Sequence, residues 1–151
     1  MKVYLVQHGR TVDEISDPRR PLSEQGIAET EKIARLAADS GSVRIGKIIH
    51  SGKLRARQTA EIFARALSPA PGIQEMSGLS PMDEPDGLVR ALESEKSDLM
   101  VVGHLPHLSR TVALLVCGDE KRMVVTFRNS GIIALERAVD DTWTIIPVFA
   151  A

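Results

Sequence analysis

The chain has 151 residues, with 19 Lys and Arg against 20 Asp and Glu and a formal net charge of -1 at pH 7. This length predicts a single domain over residues 1–151, and the near-neutral balance excludes an overall positive field that would recruit nucleic acid or an anionic membrane. One cysteine, Cys117, excludes an intrachain disulfide. Because it lies in an apolar stretch, we expect Cys117 to be a buried small residue.

The N-terminal segment predicts a strand, a loop and a helix in that order. Val3–Val6 is short, continuous and apolar, which indicates a buried strand, and the polar, proline-containing stretch Asp13–Pro21 indicates a loop. Ser23 then predicts the N-cap of a helix that Gly41 ends. The apolar stripe of this helix comprises Ile27, Ile33, Leu36 and Ala37.

The middle of the chain predicts a second strand and a second helix, followed by a long loop. Gly46–Ile49 is the strand, and Ser51 or Gly52 opens the helix, in which apolar residues recur at helical spacing. Residues 73–86 contain one glycine and two prolines, which predicts a loop. Asp86 is a candidate cap for a short helix after that loop.

The C-terminal third combines one more strand and helix with a β-rich end. Leu99–Val102 predicts a strand, and His107–Cys117 predicts an apolar helix closed by a glycine. Three further β-rich segments are joined by turn signals, which favours strand pairs that are at least partly antiparallel. These segments are Met123–Phe127, Ile132–Leu135 and Thr144–Phe149.

Together these elements predict a three-layer α/β sandwich, with a central mixed, mostly parallel sheet and helices on both faces. The longest apolar runs are far shorter than a membrane span, and the first residues show no apolar core or cleavage site of a signal peptide. We therefore expect a cytoplasmic protein with neither a membrane nor a nucleic acid as partner.

Three short motifs directly follow three of the predicted strands: Gln7–Arg10, Ser51–Ala60 and Gly103–Pro106. If those strands are parallel neighbours, their carboxyl ends place His8, Arg55 and His104 on one edge of the sheet. Open α/β sheets bind ligands at that edge. Two imidazoles and a guanidinium group that converge there suggest phosphate chemistry.

Each of these three residues can serve a phosphoryl-transfer reaction. A neutral imidazole at His8 is a competent nucleophile towards phosphorus, and nearby guanidinium groups would help to keep it unprotonated. Arg55 lies in the first turn of a predicted helix, where free backbone amides and a planar fork of donors both suit an anion. The imidazole of His104 can donate a hydrogen bond to a phosphate oxygen.

The sequence does not indicate a metal or another cofactor. The four histidines lack the close paired spacings of common zinc motifs, and one cysteine adds no further ligand pair. His50 and His107 lie near the motifs, and we interpret both as structural residues. Several cationic donors around the transferring group can stabilise it without a metal ion.

The three motifs together resemble the histidine phosphatase superfamily. Its marks are Arg-His-Gly after the first strand, Ser-x-x-x-Arg-Ala-x-Gln-Thr after the second and Gly-His late in the chain. The short length and the segment Arg20–Ser23 are similar to the SixA-type phosphohistidine phosphatases. This resemblance implies a phosphoglycerate mutase-like fold and phosphorylation of His8, with Arg55 and His104 holding phosphoryl oxygens. It also implies an accessory phosphate or substrate contact at Arg20.

Four further residues are expected at the phosphate site: Gln7, Gly9, Arg10 and Ser51. Gly9 lets an anion approach the backbone, and Ser51 begins the second motif. Gln7 departs from the family arginine, and losing a charge-assisted hydrogen bond costs roughly 1.5–3 kcal/mol, or about ten- to a hundred-fold in rate. Arg10, in the same loop, is a candidate to restore that charge.

The resemblance leaves the proton donor and the substrate open. Asp83 and Glu84 are possible donors, although surface acids are the simpler interpretation. The first hypothesis is a metal-independent phosphatase that acts on phosphohistidine in a protein phosphotransfer domain. The second is a phosphatase of small phosphomonoesters, and the third is a phosphate-binding module without catalysis, which the glutamine at position 7 motivates.

Overall fold

The computed structural model describes residues 1–149, which form a six-stranded mixed sheet in the order β3-β2-β4-β1-β5-β6. The strands are β1 (Lys2–Gln7), β2 (Lys47–His50), β3 (Ile73–Glu75), β4 (Leu99–Gly103), β5 (Ile132–Arg137) and β6 (Trp143–Ile146). The helices are α1 (Glu24–Ser40), α2 (Leu54–Leu67), α3 (Asp86–Ser94) and α4 (His107–Cys117).

The strands β1 to β4 are parallel, whereas β5 runs antiparallel to both β1 and β6. The mixed, mostly parallel sheet predicted from the sequence is therefore confirmed. The register pairs Gln7 with Gly103 and His50 with Val102. As a result, the segments that follow β1, β2 and β4 leave the sheet at the same edge.

Alternate residues of β1 belong to two separate cores, one on each face of the sheet. Tyr4 and Val6 pack in the core that also contains buried residues of α1 and α2. Val3 and Leu5 pack in the core that contains buried residues of α3 and α4. The period of two residues in a strand produces this division, and it confirms three layers with helices on both faces.

The termini of α1 follow the predicted capping. The Ser23 hydroxyl accepts a hydrogen bond from the Gly26 amide at 3.0 Å, which satisfies one free donor of the first turn. Gly41 ends the helix in the left-handed conformation, with a φ of 69°. The predicted apolar stripe is wrong in part, because Ile27 and Leu36 are 37% and 52% exposed. The buried face instead comprises Gly26, Thr30, Ala34 and Ala37.

Four other sequence predictions need correction. Ile73–Glu75 is a short strand inside the predicted loop, and Met123–Phe127 has no regular strand structure. The second helix begins at Leu54 rather than at Ser51 or Gly52, with Lys53 as the N-cap. Cys117, predicted to be buried, is exposed at the last residue of α4.

Within the described residues no helix is both long and apolar enough to cross a membrane.

Candidate active site

His8 directly follows the end of β1 and is fixed by three hydrogen bonds. Its backbone amide donates to the Gly103 carbonyl at 3.1 Å, and its own carbonyl accepts from Asn129 Nδ2 at 3.0 Å. The ring nitrogen Nδ1 lies 2.8 Å from the Gly9 carbonyl oxygen. Both backbone and ring are therefore held in place at the carboxyl edge of the sheet.

The contact with Gly9 also determines which ring nitrogen of His8 can react. A carbonyl oxygen only accepts hydrogen bonds, so Nδ1 carries the proton and Nε2 keeps a free lone pair. Burial, the largest cause, and the positive charges of Arg55 and Arg20 together lower the pKa of His8 to about 4 against the opposing effect of the hydrogen bond to the Gly9 carbonyl. His8 is therefore an uncharged imidazole near neutral pH, with Nε2 available as a nucleophile.

His104 lies beside His8 and is almost completely buried. The centroids of the two rings are 5.2 Å apart, and the ring planes are tilted by 50°. His104 Nε2 is 2.6 Å from the Ser51 hydroxyl oxygen. Burial lowers the pKa of His104 to about 3, with Arg55 as the next largest cause. The site thus contains two adjacent neutral imidazoles, and Ser51 contacts the second of them.

We expect both rings to stay unprotonated in the folded protein from pH 8 down to about pH 5, because the pKa values of His8 and His104 are about 4 and about 3. Histidine in an unfolded chain takes up its proton near pH 6.5. The unfolded state therefore binds more protons, so the free energy of unfolding falls as the pH falls from about 6.5 towards about 4. Titration of ¹⁵N-labelled histidine by NMR, with the urea-unfolded chain as reference, checks this prediction. A midpoint near 6.5 for either ring in the folded state would contradict it.

Arg55 is the second residue of α2, where the free amides of the first turn also lie. Its Nε atom is buried and has no hydrogen-bond partner within residues 1–149. Burial and the nearby charge of Arg20 lower the pKa of Arg55, whereas Glu14 raises it. A guanidinium group stays charged in proteins, so Arg55 presents a cation with an unused donor next to the two imidazoles.

Arg20 lies in the loop between β1 and α1 and has a left-handed backbone conformation, with a φ of 49°. This conformation costs a non-glycine residue about 1–2 kcal/mol. The Arg20 guanidinium donates to the Thr11 hydroxyl at 3.3 Å and lies 3.6 Å from a carboxylate oxygen of Glu14. The backbone strain and these two contacts hold the cation against a polar cleft.

The polar cleft, with a volume of about 560 Å³, is lined by Gln7, His8, Arg10, Thr11, Arg20, Ser23, Gln25 and Asn129. Gln7 is half-buried, and its carboxamide makes no hydrogen bond within the described part of the chain. Arg10 forms an ion pair with Glu29 of α1, at 2.8 Å. The structure thus brings Gln7, Arg10 and Arg20 together with His8, and it pairs Arg10 with a carboxylate.

Gly9 has a packing reason to be glycine. A Cβ atom at this position would lie 2.7 Å from the Thr30 hydroxyl and 2.9 Å from the Ser130 hydroxyl. The Gly9 amide donates to the Thr59 hydroxyl at 3.0 Å. The absence of a side chain at Gly9 therefore lets the loop after β1 pack closely against Thr30 and Ser130. This packing fixes the Gly9 carbonyl that contacts the His8 ring.

Two residues of the second motif connect the loops of the site, a role that the sequence analysis did not assign. The Thr59 hydroxyl accepts from the Gly9 amide and donates to the Arg55 carbonyl at 2.8 Å. Gln58 accepts a hydrogen bond from the Leu22 amide at 2.7 Å. The sequence signal for Thr59 was its spacing from Arg55, because residues one helical turn apart face the same side of a helix.

The two histidines interpreted as structural lie outside this arrangement. His50 is buried at the end of β2, and its Nδ1 accepts a hydrogen bond from the Gly52 amide at 3.1 Å in the turn before α2. His107 is completely buried at the start of α4. Burial lowers the pKa of both rings.

The two candidate proton donors are engaged elsewhere. Glu84 forms an ion pair with Arg110 at 2.9 Å, and Asp83 accepts a hydrogen bond from the Ser80 amide at 2.9 Å. Among the hydrogen bonds within residues 1–149, neither carboxylate reaches His8 or His104. The acid next to the arginines of the site is Glu14, which the sequence analysis did not single out.

The residues at the carboxyl edge thus combine a neutral imidazole with a free Nε2, a second imidazole, three arginines and several carboxamides. Across residues 1–149 no three His, Cys, Asp or Glu side chains gather in a metal-binding arrangement. A nucleophilic imidazole surrounded by cationic donors is suited to accept a phosphoryl group.

Comparison with known proteins relates the chain to phosphatases. A family profile described as "Histidine phosphatase superfamily (branch 1)" matches residues 3–85. An uncharacterized protein of Picosynechococcus sp. is 32% identical over 143 residues, which cover 89% of this chain and 84% of that protein. The chain is similar to the protein histidine phosphatase SixA, solved with tungstate, with a TM-score of 0.81 and 27% identity over 97% of this chain and 94% of that chain. A structure from Escherichia coli K-12, assigned as an α-ribazole-5'-P phosphatase, has a TM-score of 0.79 and 17% identity over 99% and 97% of the two chains, a likeness of fold alone.

Proposed function

The chain belongs to the histidine phosphatase superfamily, and on that premise we propose that it is a phosphatase that transfers a phosphoryl group first to His8 and then to water. The observation that carries this proposal is the orientation of His8. Its Nδ1 is bound to the Gly9 carbonyl, so the lone pair of Nε2 is free. The low pKa of His8, about 4, keeps that lone pair available near neutral pH.

In the proposed first step, Nε2 of His8 attacks phosphorus and the bond to the leaving group breaks. Arg55 and Arg20 stabilise the charge on the phosphoryl oxygens, and the buried Nε of Arg55 supplies an unused donor. Water then attacks phosphorus in the second step, releasing phosphate and restoring His8. His104 is proposed to donate to a phosphoryl oxygen, with Ser51 orienting its ring.

We propose phosphohistidine on a protein phosphotransfer domain as the substrate. Similarity to the protein histidine phosphatase SixA supports this choice. The site also supports it, since Asp83 and Glu84 are bound elsewhere and imidazole is a good leaving group that needs little help from an acid. The residues proposed to touch the substrate are the eight expected from the sequence: Gln7, His8, Gly9, Arg10, Arg20, Ser51, Arg55 and His104.

One observation favours small phosphomonoesters as a second candidate class. The cleft beside His8 has a volume of about 560 Å³ and is lined by polar side chains. Clefts of about 300–1,000 Å³ are typical of small-molecule sites. The polar sugar or nucleoside that leaves from such a phosphomonoester would therefore find hydrogen-bond partners there.

A substrate panel, measured as phosphate release without added metal, separates these functions. We expect kcat/KM for a phosphohistidine-bearing domain to exceed that for sugar and nucleotide phosphates by about ten-fold or more. The control is His8→Asn, which should release no phosphate from any member of the panel.

Two outcomes would contradict the proposed substrate or the proposed function. A preference for sugar or nucleotide phosphates would replace phosphohistidine with a small phosphomonoester. Binding of phosphorylated ligands without any turnover would indicate the phosphate-binding module instead.

A further inference from the structure

Gln7 is a neutral carboxamide in a cleft that it shares with the cations Arg10 and Arg20. It ends β1, immediately before His8, and lines the same cleft as Arg20 and Asn129. Its carboxamide has no hydrogen-bond partner in the described part of the chain. Both its donor and its acceptor are therefore available to a ligand in the cleft.

A carboxamide and a guanidinium group distinguish the protonation states of phosphate. Arginine only donates, so it favours phosphoryl oxygens that carry the full negative charge. A carboxamide donates through its nitrogen and accepts through its oxygen. Only a phosphoryl group that keeps one proton has a P–OH for that oxygen to accept.

Resting on the proposed function, we infer that Gln7 is a specificity-determining residue: it makes the site select the singly protonated form of its phosphate ligand over the fully ionised form. The carboxamide oxygen accepts from P–OH, and the carboxamide nitrogen donates to a second phosphoryl oxygen. The selected ligand thus carries one negative charge less than the ligand that an arginine at this position would favour.

The charges around Gln7 agree with a ligand of lower charge. Arg10 lines the same cleft, but its ion pair with Glu29 offsets its charge. Arg20 faces Glu14 in the same way, at 3.6 Å. These two ion pairs reduce the net positive charge on the side of the cleft where Gln7 lies.

Further charged and titratable groups near His8 come from α2 and from the segment after β4. Arg55 belongs to α2, and the charge of Lys53 at its N-cap lowers the pKa of His104 after β4. The pKa values of His8 and His104, about 4 and about 3, keep both rings neutral above pH 5. Between pH 5.5 and 8, a proton gained in the site is therefore carried by the ligand.

The retained proton also supplies what the leaving group needs. In the first step, the lone pair of His8 Nε2 forms the bond to phosphorus, and the bond from phosphorus to the leaving atom breaks. The proton of P–OH passes to that leaving atom, so atoms and charge balance without a carboxylic acid. For phosphohistidine, the same proton is carried by the leaving imidazole. This agrees with the engagement of Asp83 and Glu84 elsewhere.

Binding of phenylphosphonate and sulfate at pH 5.5 and pH 8, measured by calorimetry, tests the inference without requiring turnover. Phenylphosphonate has no hydrolysable bond; like a phosphomonoester, it carries no P–OH in the dianion that predominates at pH 8 and one P–OH in the monoanion at pH 5.5. Sulfate stays a dianion and reports any titration of the protein itself. For the native protein, we expect the ratio of phenylphosphonate affinity to sulfate affinity to rise about five-fold on going from pH 8 to pH 5.5.

Two variants isolate the carboxamide. Gln7→Met keeps the length of the side chain without its donor and acceptor, and the rise in the affinity ratio should disappear. Gln7→Arg should bind sulfate about ten-fold more tightly than the native protein at both pH values and should also lose the rise. Sulfate binding and thermal unfolding show that each variant is folded, and either variant alone is sufficient for the test.

The inference fails if the ratio of phenylphosphonate affinity to sulfate affinity does not rise for the native protein between pH 8 and pH 5.5, or if Gln7→Met shows the same rise. Absence of binding of either anion to the native protein also overturns it. Failure of the proposed function looks different, since a protein that never releases phosphate can still show the expected ratio. Conversely, turnover that depends on His8 can coexist with an unchanged ratio, which would remove only the role of Gln7.

Discussion

Replacing His8 with alanine is expected to reduce phosphate release by at least about 10⁴-fold, because no other group can take over a covalent step once its nucleophile is lost. The free Nε2 lone pair at the end of β1 is the atom that the change removes. The effect should appear in kcat under saturating substrate. Single-turnover assays with a phosphohistidine-bearing domain measure it directly.

His8→Asn is the matched control for a structural effect. The Asn side chain can donate a hydrogen bond towards the Gly9 carbonyl, as Nδ1 of His8 does, but it offers no nucleophile. We expect this variant to retain the circular dichroism spectrum and cooperative unfolding of the native protein while remaining inactive. Full activity in either folded variant would eliminate the covalent mechanism.

Replacing Arg55 with glutamine is expected to lower kcat/KM by about 10²–10³-fold, as the loss of one preorganised donor to a developing charge does in other enzymes. Arg55 combines a position in the first turn of α2 with a buried Nε that has no partner within residues 1–149. Arg55→Lys keeps the charge without the planar fork, so we expect it to recover only part of the loss. Steady-state kinetics on the same substrate measure both variants.

Arg57→Gln is the control on the same helix. Arg57 is 61% exposed in its side chain and forms an ion pair with Glu61 one turn later. Exposed pairs of this kind contribute little, so kcat/KM should stay within about two-fold of the native value. Equal losses of kcat/KM in the Arg55 and Arg57 variants would show that the loss of any positive charge lowers activity. A specific contact between Arg55 and phosphate would then not be needed.

The sheet edge that carries the site could be predicted from sequence. For parallel neighbouring strands, it is enough to locate the carboxyl end of each strand. Short apolar runs before His8 and His104 were sufficient for that, and the register of β1 against β4 confirms the prediction. The Ser23 cap and the Gly41 end of α1 were likewise predictable, since each depends on local backbone geometry.

The wrong secondary-structure and burial predictions concern segments whose structure depends on pairing or packing with distant parts of the chain. Met123–Phe127 has a strand-like composition, but β1 is already paired with β4 on one side and β5 on the other, so it offers the segment no free edge. Ile73–Glu75 is too short to show a strand period, and it becomes a strand because β2 offers it an edge. In α1, close packing selects the small residues Ala34 and Ala37 over the larger Leu36.

Within the site, the sequence located residue types but could not show where side chains point. Arg10 was a candidate for the missing charge at Gln7, and the structure pairs it with Glu29 on α1. Thr59 was part of a motif without a role, and it proves to connect the Gly9 amide to the carbonyl of Arg55. The contacts of Arg10 with Glu29 and of Gly9 with Thr59 join residues about 20 and 50 positions apart, which no local pattern specifies.

The most direct test of the account is to trap the phosphorylated protein. The native chain is mixed with a phosphohistidine-bearing domain, quenched in alkali within one turnover and analysed by intact mass and peptide mapping, with His8→Asn in parallel. We expect one added phosphoryl group on the native chain, located on His8 and decaying as phosphate is released, and none on the variant. Phosphate release with no phosphoryl group on His8 at any time, or with the group on another residue, would contradict the proposed mechanism.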